Sequence, residues 1–355
     1  MTNRANTLLA RLPDCEAALI KTDFNRFYFL GLDTGDAGTV LILQNKTYFI
    51  IDSRYIEIAR REIKDAEVIL EKRVNEQILE LLQTHGVATL YIESKISVAE
   101  MYNLREKLVG IELDETNKLS CAIDAIRAIK SESEIEAMRK AQVITDDCFT
   151  HILPFIKPGV REIDIALEME MFMRKRGAQK LAFNTILVAG QKTSLPHGEP
   201  GDNIINSGDF VTMDFGANVD GYCTDMTRTV AVGSVTDEMR KVYDTVLTAQ
   251  LEAAARAKGG MRGCDVDKIS RDIIYAAGYE GCFGHGLGHS LGIEIHENPC
   301  YNPTCEEIVR TGMMMTIEPG IYLAGKFGVR IEDTVIVKAN GVEILGTSDK
   351  NLIIL

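Results

Sequence analysis

The stretch Val211-Thr-Met-Asp214-Phe-Gly-Ala-Asn218-Val-Asp-Gly221-Tyr-Cys-Thr-Asp225-Met-Thr-Arg-Thr-Val-Ala-Val232 decides how this chain folds. Apolar residues alternate on both sides of a turn-forming centre, the pattern of an antiparallel hairpin. A four-residue loop over 218–221, centred between Val219 and Asp220, sets Asp214 directly opposite Asp225. Such partners have Cβ atoms roughly 5 Å apart, where like charges destabilise a sheet. A second hairpin repeats the problem: Met313 to Leu323 turns at Ala324-Gly-Lys-Phe-Gly328 and returns as Val329 to Val337. A turn centred on Gly325 opposes Glu318 to Glu332. Two self-repelling pairs in apolar strands call for a cation, and for two rather than one.

The 355 residues suit two domains, and a 46% hydrophobic composition provides ample core. The formal net charge of −13 disfavours nucleic acid and anionic membranes as partners. The N-terminus lacks the apolar core of a signal peptide, and no run of about 18 apolar residues predicts a membrane span. A cytoplasmic location is expected. The eight cysteines form no CxxC pair and read as reduced, mostly buried thiols. Cys223 reads as small core filler on the strand face of Asp225. Of six histidines, His197, His285, His289 and His296 fall in the stretch that holds the carboxylates.

Residues 1 to about 120 alternate short apolar strands (Ala17–Ile20, Thr39–Leu43, Thr47–Ile51, Val68–Leu70, Thr89–Ile92) with helices (Ser53–Ile63, Val74–His85, Ser97–Leu108), a small α/β domain. A boundary is expected near Ile126–Lys130, after which Ser131-x-x-Glu134 opens a long helix as a capping box. The C-terminal part then repeats itself. Lys157-Pro-Gly-Val-Arg-Glu-Ile-Asp-Ile165 matches Lys258-Gly-Gly-Met-Arg-Gly-Cys-Asp-Val266, and each copy leads into a helix ending at a glycine, Gly177 or Gly278. Each copy precedes a carboxylate-bearing hairpin. Two related half-units follow, each a pair of helices and then strands, with the charged residues meeting at a pseudo-symmetry axis.

Four carboxylates and an imidazole suit divalent ions of intermediate hardness: oxygen ligands favour Mg or Mn, and one histidine tilts the choice towards Mn, Fe, Co or Zn. In Phe283-Gly-His-Gly-Leu-Gly-His-Ser-Leu-Gly-Ile-Glu-Ile-His296, His285 and His289 have the i,i+4 spacing of a helical zinc motif. Glycines at 284, 286, 288 and 292 would each cost a helix about 1 kcal/mol, and the glutamate that motif needs at 286 is absent. A glycine-rich loop feeding a strand over Leu291–His296 is expected instead.

In order and local context, Asp214 (Met-Asp-Phe-Gly), Asp225 (Thr-Asp-Met-Thr-Arg), His289 (Gly-His-Ser-Leu-Gly), Glu318 (Ile-Glu-Pro-Gly-Ile-Tyr) and Glu332 (Val-Arg-Ile-Glu-Asp) resemble the metal ligands of the pita-bread metallopeptidases. That family includes methionine aminopeptidase, aminopeptidase P and prolidase. The resemblance spans essentially the whole chain. It implies an α+β architecture: a pita-bread catalytic domain over 126–355 with a pseudo-twofold internal repeat, preceded by a smaller α/β creatinase-type N-terminal domain over 1–125, whose signature is Asp52-Ser-Arg-Tyr55. Leu287 and Ser290 stand where close relatives often carry Thr and Gly. The N-terminal domain, Arg330 before the last ligand, and the extra histidines of Leu195-Pro-His-Gly198 and Ile295-His-Glu point to the Xaa-Pro branch.

The resemblance implies two divalent ions, Mn first and Co, Zn or Fe as alternatives, and cleavage between an N-terminal residue and a following proline by a metal-bridging hydroxide. Asp214, Asp225 and Glu332 are expected to hold one ion. Asp214 and Glu332 also reach the second, which His289 and Glu318 complete. Glu318 is the expected proton shuttle. His296 and His285 are assigned to the carbonyl oxygen, and His197 and Tyr322 to the wall around the proline ring. Arg330 is expected to orient Glu332 or to bind substrate carboxylate. The partners implied are proline-containing peptides and a second copy of the chain as a homodimer. An Xaa-Pro dipeptidase (prolidase) is the nearest alternative. A non-catalytic binding protein of the same fold predicts missing ligands, and all five are present.

Overall fold

The structure, a computed structural model, describes residues 4–355. They divide into two compact units, ending at Arg127 and beginning at Ala128. In the first unit a mixed six-stranded sheet runs in the order Glu67–Leu70, Lys46–Ile51, Thr39–Leu43, Ala17–Ile20, Thr89–Ile92, Glu112–Asp114. The four strands between the two edges carry the fully buried residues, so their apolar runs announce them in sequence. The edge strand Glu112–Asp114 is three residues long and part-exposed, which leaves it no such signature. Asp52-Ser-Arg-Tyr55 forms a turn before helix Ile56–Glu62, where Arg54 bonds the Asp52 carboxylate through Nε at 2.9 Å and Nη2 at 2.7 Å.

The second unit opens on helix Glu132–Ile152. Ser131 Oγ accepts from the Glu134 N–H, and the Glu134 carboxylate accepts from the Ser131 N–H at 2.7 Å. The internal repeat is a repeat of structure. Arg161 precedes helix Glu162–Lys175 and donates to Asp164 and Asp202; Arg262 precedes helix Gly263–Ala276 and donates to Asp265 and Glu306. Gly159 N–H bonds the Ile205 carbonyl, and Gly260 N–H the Val309 carbonyl. Each helix pair packs on its own core, one built around Met169, Met213 and Val230, the other around Val246, Met315 and Val335.

The first hairpin corrects the expected register. Asp220 and Gly221 have φ of 51° and 81°, and Val219 pairs with Tyr222, so the loop has two residues. Asp-Gly with both φ positive suits the primed turn that matches strand twist. The turn centre therefore moves by one residue, and Thr227, not Asp225, lies opposite Asp214. That shift slides the pairing by two positions. Side chains alternate with period two, so Asp225 keeps the face of Asp214 and becomes its diagonal neighbour. In the second hairpin the ladder of Gly320–Leu323 with Phe327–Arg330 and that of Met314–Ile317 with Asp333–Lys338 share one register, which sets Glu318 opposite Glu332 in the gap between them. The strand expected over Leu291–His296 lies elsewhere: strands form at Gly288–Ser290 and Glu297–Tyr301, with bends between. His289 is thus on a strand.

Candidate metal centre

Three of the five candidate ligands sit where a ladder is interrupted. Asp225 lies between Tyr222–Cys223 and Met226–Ala231, Glu318 just after Met314–Ile317, and Glu332 just before Asp333–Lys338. Their backbone N–H groups bond across to other strands instead: Asp225 to Thr334 Oγ1 at 3.1 Å, Glu318 to the Leu287 carbonyl at 2.8 Å, Glu332 to the Thr227 carbonyl at 3.1 Å. These crossings bring the two hairpins and the histidine strand to one point. Asp225, His289 and Glu332 each offer a ligand atom, and those atoms lie within 4.8 Å of one another. His289 Nε2 is 3.6 Å from Asp225 Oδ2 and 3.4 Å from Glu318 Oε1.

The electrostatics are those of buried, mutually repelling carboxylates. Burial, followed by neighbouring carboxylates, holds Asp225 and Glu332 well above the usual carboxylate range. Burial also raises Glu318, against the lowering pull of His289 and Arg330. One oxygen each of Asp214, Asp225 and Glu332 is buried with no hydrogen-bond partner. Buried polar atoms are ordinarily paired, so orphaned oxygens on Asp225 and Glu332, which group with the His289 imidazole, and a third on Asp214 fit a site for cations.

Arg330 is placed differently from the expectation that it orients Glu332 or binds substrate. It is 3% exposed, and four of its N–H groups are taken: Nη2 by Asp214 Oδ2 at 2.6 Å, Nη1 by Tyr322 Oη at 2.8 Å and the Pro196 carbonyl at 3.2 Å, Nε by Thr227 Oγ1 at 3.0 Å. It orients Asp214. Glu332 is held through Thr227, whose hydroxyl donates to Glu332 Oε2 at 2.6 Å. Asp225 groups with both His289 and Glu332, its Oδ2 lying 3.6 Å from His289 Nε2.

A cavity of about 730 Å³ opens over this cluster, lined by Asp214, Asp225, His289 and Glu318 and by His197, His285, His296 and Arg330. Tyr322, expected to wall the proline ring, is not among its lining residues. Its hydroxyl accepts from Arg330 and stands 2.9 Å from His285 Nε2. His285 Nδ1 lies 2.8 Å from the Gly286 carbonyl. The carbonyl can only accept, so Nδ1 carries the proton and Nε2 takes the tyrosyl hydrogen. Burial and Arg330 push the His285 pKa down to about 4, consistent with a neutral ring. With both nitrogens committed, His285 has no N–H to offer the carbonyl oxygen assigned to it. His296, whose ring lies 4.4 Å from that of His289, and His197 line the cavity and make no ring hydrogen bond among the described residues.

Three threonines escaped the sequence reading. Thr227 holds Glu332; Thr316 Oγ1 accepts from the His289 N–H at 3.0 Å and donates to Glu318 Oε1 at 3.1 Å; Thr334 Oγ1 donates to the Asp225 carbonyl at 2.8 Å. Each lies two residues from a carboxylate, on its strand face. That spacing was a readable signal. Cys223 is buried, accepts from Asn218 Nδ2 at 3.3 Å, and points its thiol at the Ile293 carbonyl.

Residues 136–339 match the model of metallopeptidase family M24, and residues 3–129 that of the creatinase/prolidase N-terminal domain. The chain is 36% identical to an Xaa-Pro dipeptidase of Pyrococcus furiosus over 338 residues, 95% of each chain. Among solved structures it resembles an Xaa-Pro dipeptidase from Bacillus anthracis (TM-score 0.95, 37% identity, 99% of each chain). It also resembles an X-Pro aminopeptidase from Thermotoga maritima (TM-score 0.91, 33% identity, 99% of this chain and 100% of that one).

Proposed function

This chain belongs to metallopeptidase family M24, and we propose that it removes an N-terminal residue from in front of proline, with two divalent ions held by Asp214, Asp225, His289, Glu318 and Glu332. The observation that carries the reading is the set of three orphaned, buried carboxylate oxygens on Asp214, Asp225 and Glu332. Of these residues, Asp225 and Glu332 group with His289, and Asp214 and Asp225 line the cavity. An oxygen-rich set with a single imidazole favours Mn, with Co, Zn or Fe as substitutes. When bound, such ions lower the pKa of water towards neutrality and polarise a peptide carbonyl.

The chain's own groups divide the remaining work. Glu318 lines the cavity and has its carboxyl raised by burial, which suits it to carry a proton from water to the leaving nitrogen. His296 faces the cavity beside His289 and is free to donate to the carbonyl oxygen. His197, with Phe183, Ile186, Pro196 and Ile295, supplies a partly apolar wall for the pyrrolidine ring. His285, Tyr322 and Arg330 form a bonded chain that positions Asp214. The names of the relatives support proline specificity. Eight unpaired cysteines support a reducing compartment such as the cytoplasm, and a homodimer is the proposed assembly, to be checked by sedimentation. The deciding assay reconstitutes the protein with Mn, Co or Zn and compares an Xaa-Pro-Xaa peptide with its Xaa-Ala-Xaa counterpart. Cleavage of the proline peptide alone is expected; equal cleavage of both, or of neither, overturns the reading.

A further inference from the structure

We propose that the enzyme takes Xaa-Pro peptides of three or more residues in preference to Xaa-Pro dipeptides, because its cavity offers a C-terminal carboxylate no uncommitted cation and sets two uncommitted carboxylates, Glu170 and Glu199, against it. This rests on the proline-specific reading and names the substrate length within it.

The charges that line the cavity are few. Arg330 is its single Lys or Arg, and that guanidinium is ion-paired with Asp214 and has four of its five N–H groups bonded inside the protein. Lys192, close by in sequence, is spent on Glu162 Oε2 and on the Glu199 carbonyl, both at 2.6 Å. The four ligand carboxylates would be offset by two divalent ions. Glu170 and Glu199 remain, on the wall of the cavity, with no ion pair or side-chain hydrogen bond among the described residues. His285 has both ring nitrogens committed, and His197 and His296 can each donate a hydrogen bond.

A dipeptide brings its carboxylate to this wall unavoidably, since that group sits on the proline itself, two bonds from the leaving nitrogen. Inside a partly buried cavity like charges interact several-fold more strongly than in water. Each further residue carries the terminal charge about 3.5 Å outward and replaces it, beside the proline, with a neutral amide. The wall is equipped for neutral groups. Thr185 is 4% exposed and lines the cavity, its buried hydroxyl has no partner, and the Asn184 side-chain amide stands next to it in sequence. A buried hydroxyl without a partner is rare, and a continuing peptide backbone supplies one.

The test compares Ala-Pro, Ala-Pro amide and Ala-Pro-Ala on the manganese-reconstituted protein. The amide removes the charge without adding length, so charge and reach are separated. The amide and the tripeptide are each expected to exceed the free acid in kcat/KM by about tenfold or more, with the gap narrowing as salt screens the wall. Glu170→Gln combined with Glu199→Gln is expected to narrow the acid-to-amide ratio about threefold or more. A free dipeptide turned over as fast as its amide overturns the proposal, as does a ratio unmoved by the double substitution. Cleavage of none of the three overturns the proline-specific reading, and this proposal with it.

Discussion

Arg330 Nη2 donates to Asp214 Oδ2 at 2.6 Å, with the two side chains 4% and 13% exposed. The pair fixes one candidate ligand before any ion is present. It also links that ligand, through Tyr322 Oη, to His285.

Replacing Arg330 with lysine keeps a charge but loses the planar fork that serves Asp214, Tyr322, Pro196 and Thr227 together. Groups that orient metal ligands typically contribute 10–100-fold in metal affinity or activity. Arg330→Lys is expected to weaken Mn binding by about that factor in a calorimetric titration. Unchanged affinity would show that Asp214 does not need this anchor.

Thr227→Val tests the link to Glu332. The substitution preserves shape while removing the hydroxyl that donates to Glu332 Oε2 and accepts from Arg330 Nε. Metal affinity is expected to fall roughly tenfold with little change in circular dichroism. A variant that binds Mn as well as the parent chain would remove Thr227 from the site.

The pH dependence follows from the raised carboxylates. Asp225, Glu332 and Glu318 all have folded pKa values above their ordinary ones, burial being the leading cause. The metal-free fold therefore binds more protons at these groups than the unfolded chain does. Their contribution to stability is full below about pH 4, the unfolded range, and is lost as pH rises through the folded pKa values. Bound ions require the deprotonated groups, so metal stabilisation grows in the opposite sense. The difference in Tm between Mn-loaded and EDTA-treated protein should widen from about pH 5 to about pH 8. A difference that stays flat across that range contradicts the assignment.

Gly288 precedes the histidine ligand, and a Cβ there would overlap the Thr316 carbonyl oxygen. Backbone rather than a flexible side chain would have to move. Gly288→Ala is expected to destabilise by about 1–3 kcal/mol in urea unfolding and to weaken metal binding by displacing His289. Gly284→Ala is the control, since a Cβ there meets nothing within 4 Å. Equal midpoints for the two variants would refute the close-packing argument.

Much of this was legible in the chain. The carboxylates stand out because they interrupt apolar strands, and the two half-units because Arg161 and Arg262 recur in the same short motif. The first hairpin departs from its sequence pattern by one residue at its turn, where Asp220-Gly221 forms the tight primed loop. The functional face survives the shift because a two-position slide preserves side-chain direction. The threonines at 227, 316 and 334 were readable by spacing but carried no charge or ring to draw notice.

The sequence by itself determined which residue types gather: four carboxylates and an imidazole at fixed places along alternating strands, in two related halves. Local periodicity suffices for that, since it decides which face each side chain takes. Only the tertiary structure decided who holds whom. Arg330 serves Asp214 rather than Glu332, Asp225 groups with His289 and Glu332, and Tyr322 backs His285 instead of lining the cavity. Those partnerships join separate ladders and are closed by backbone bonds from Asp225, Glu318 and Glu332 into other strands. A strand's pattern fixes the direction of its side chains, whereas the partner across the gap depends on how the sheets come together.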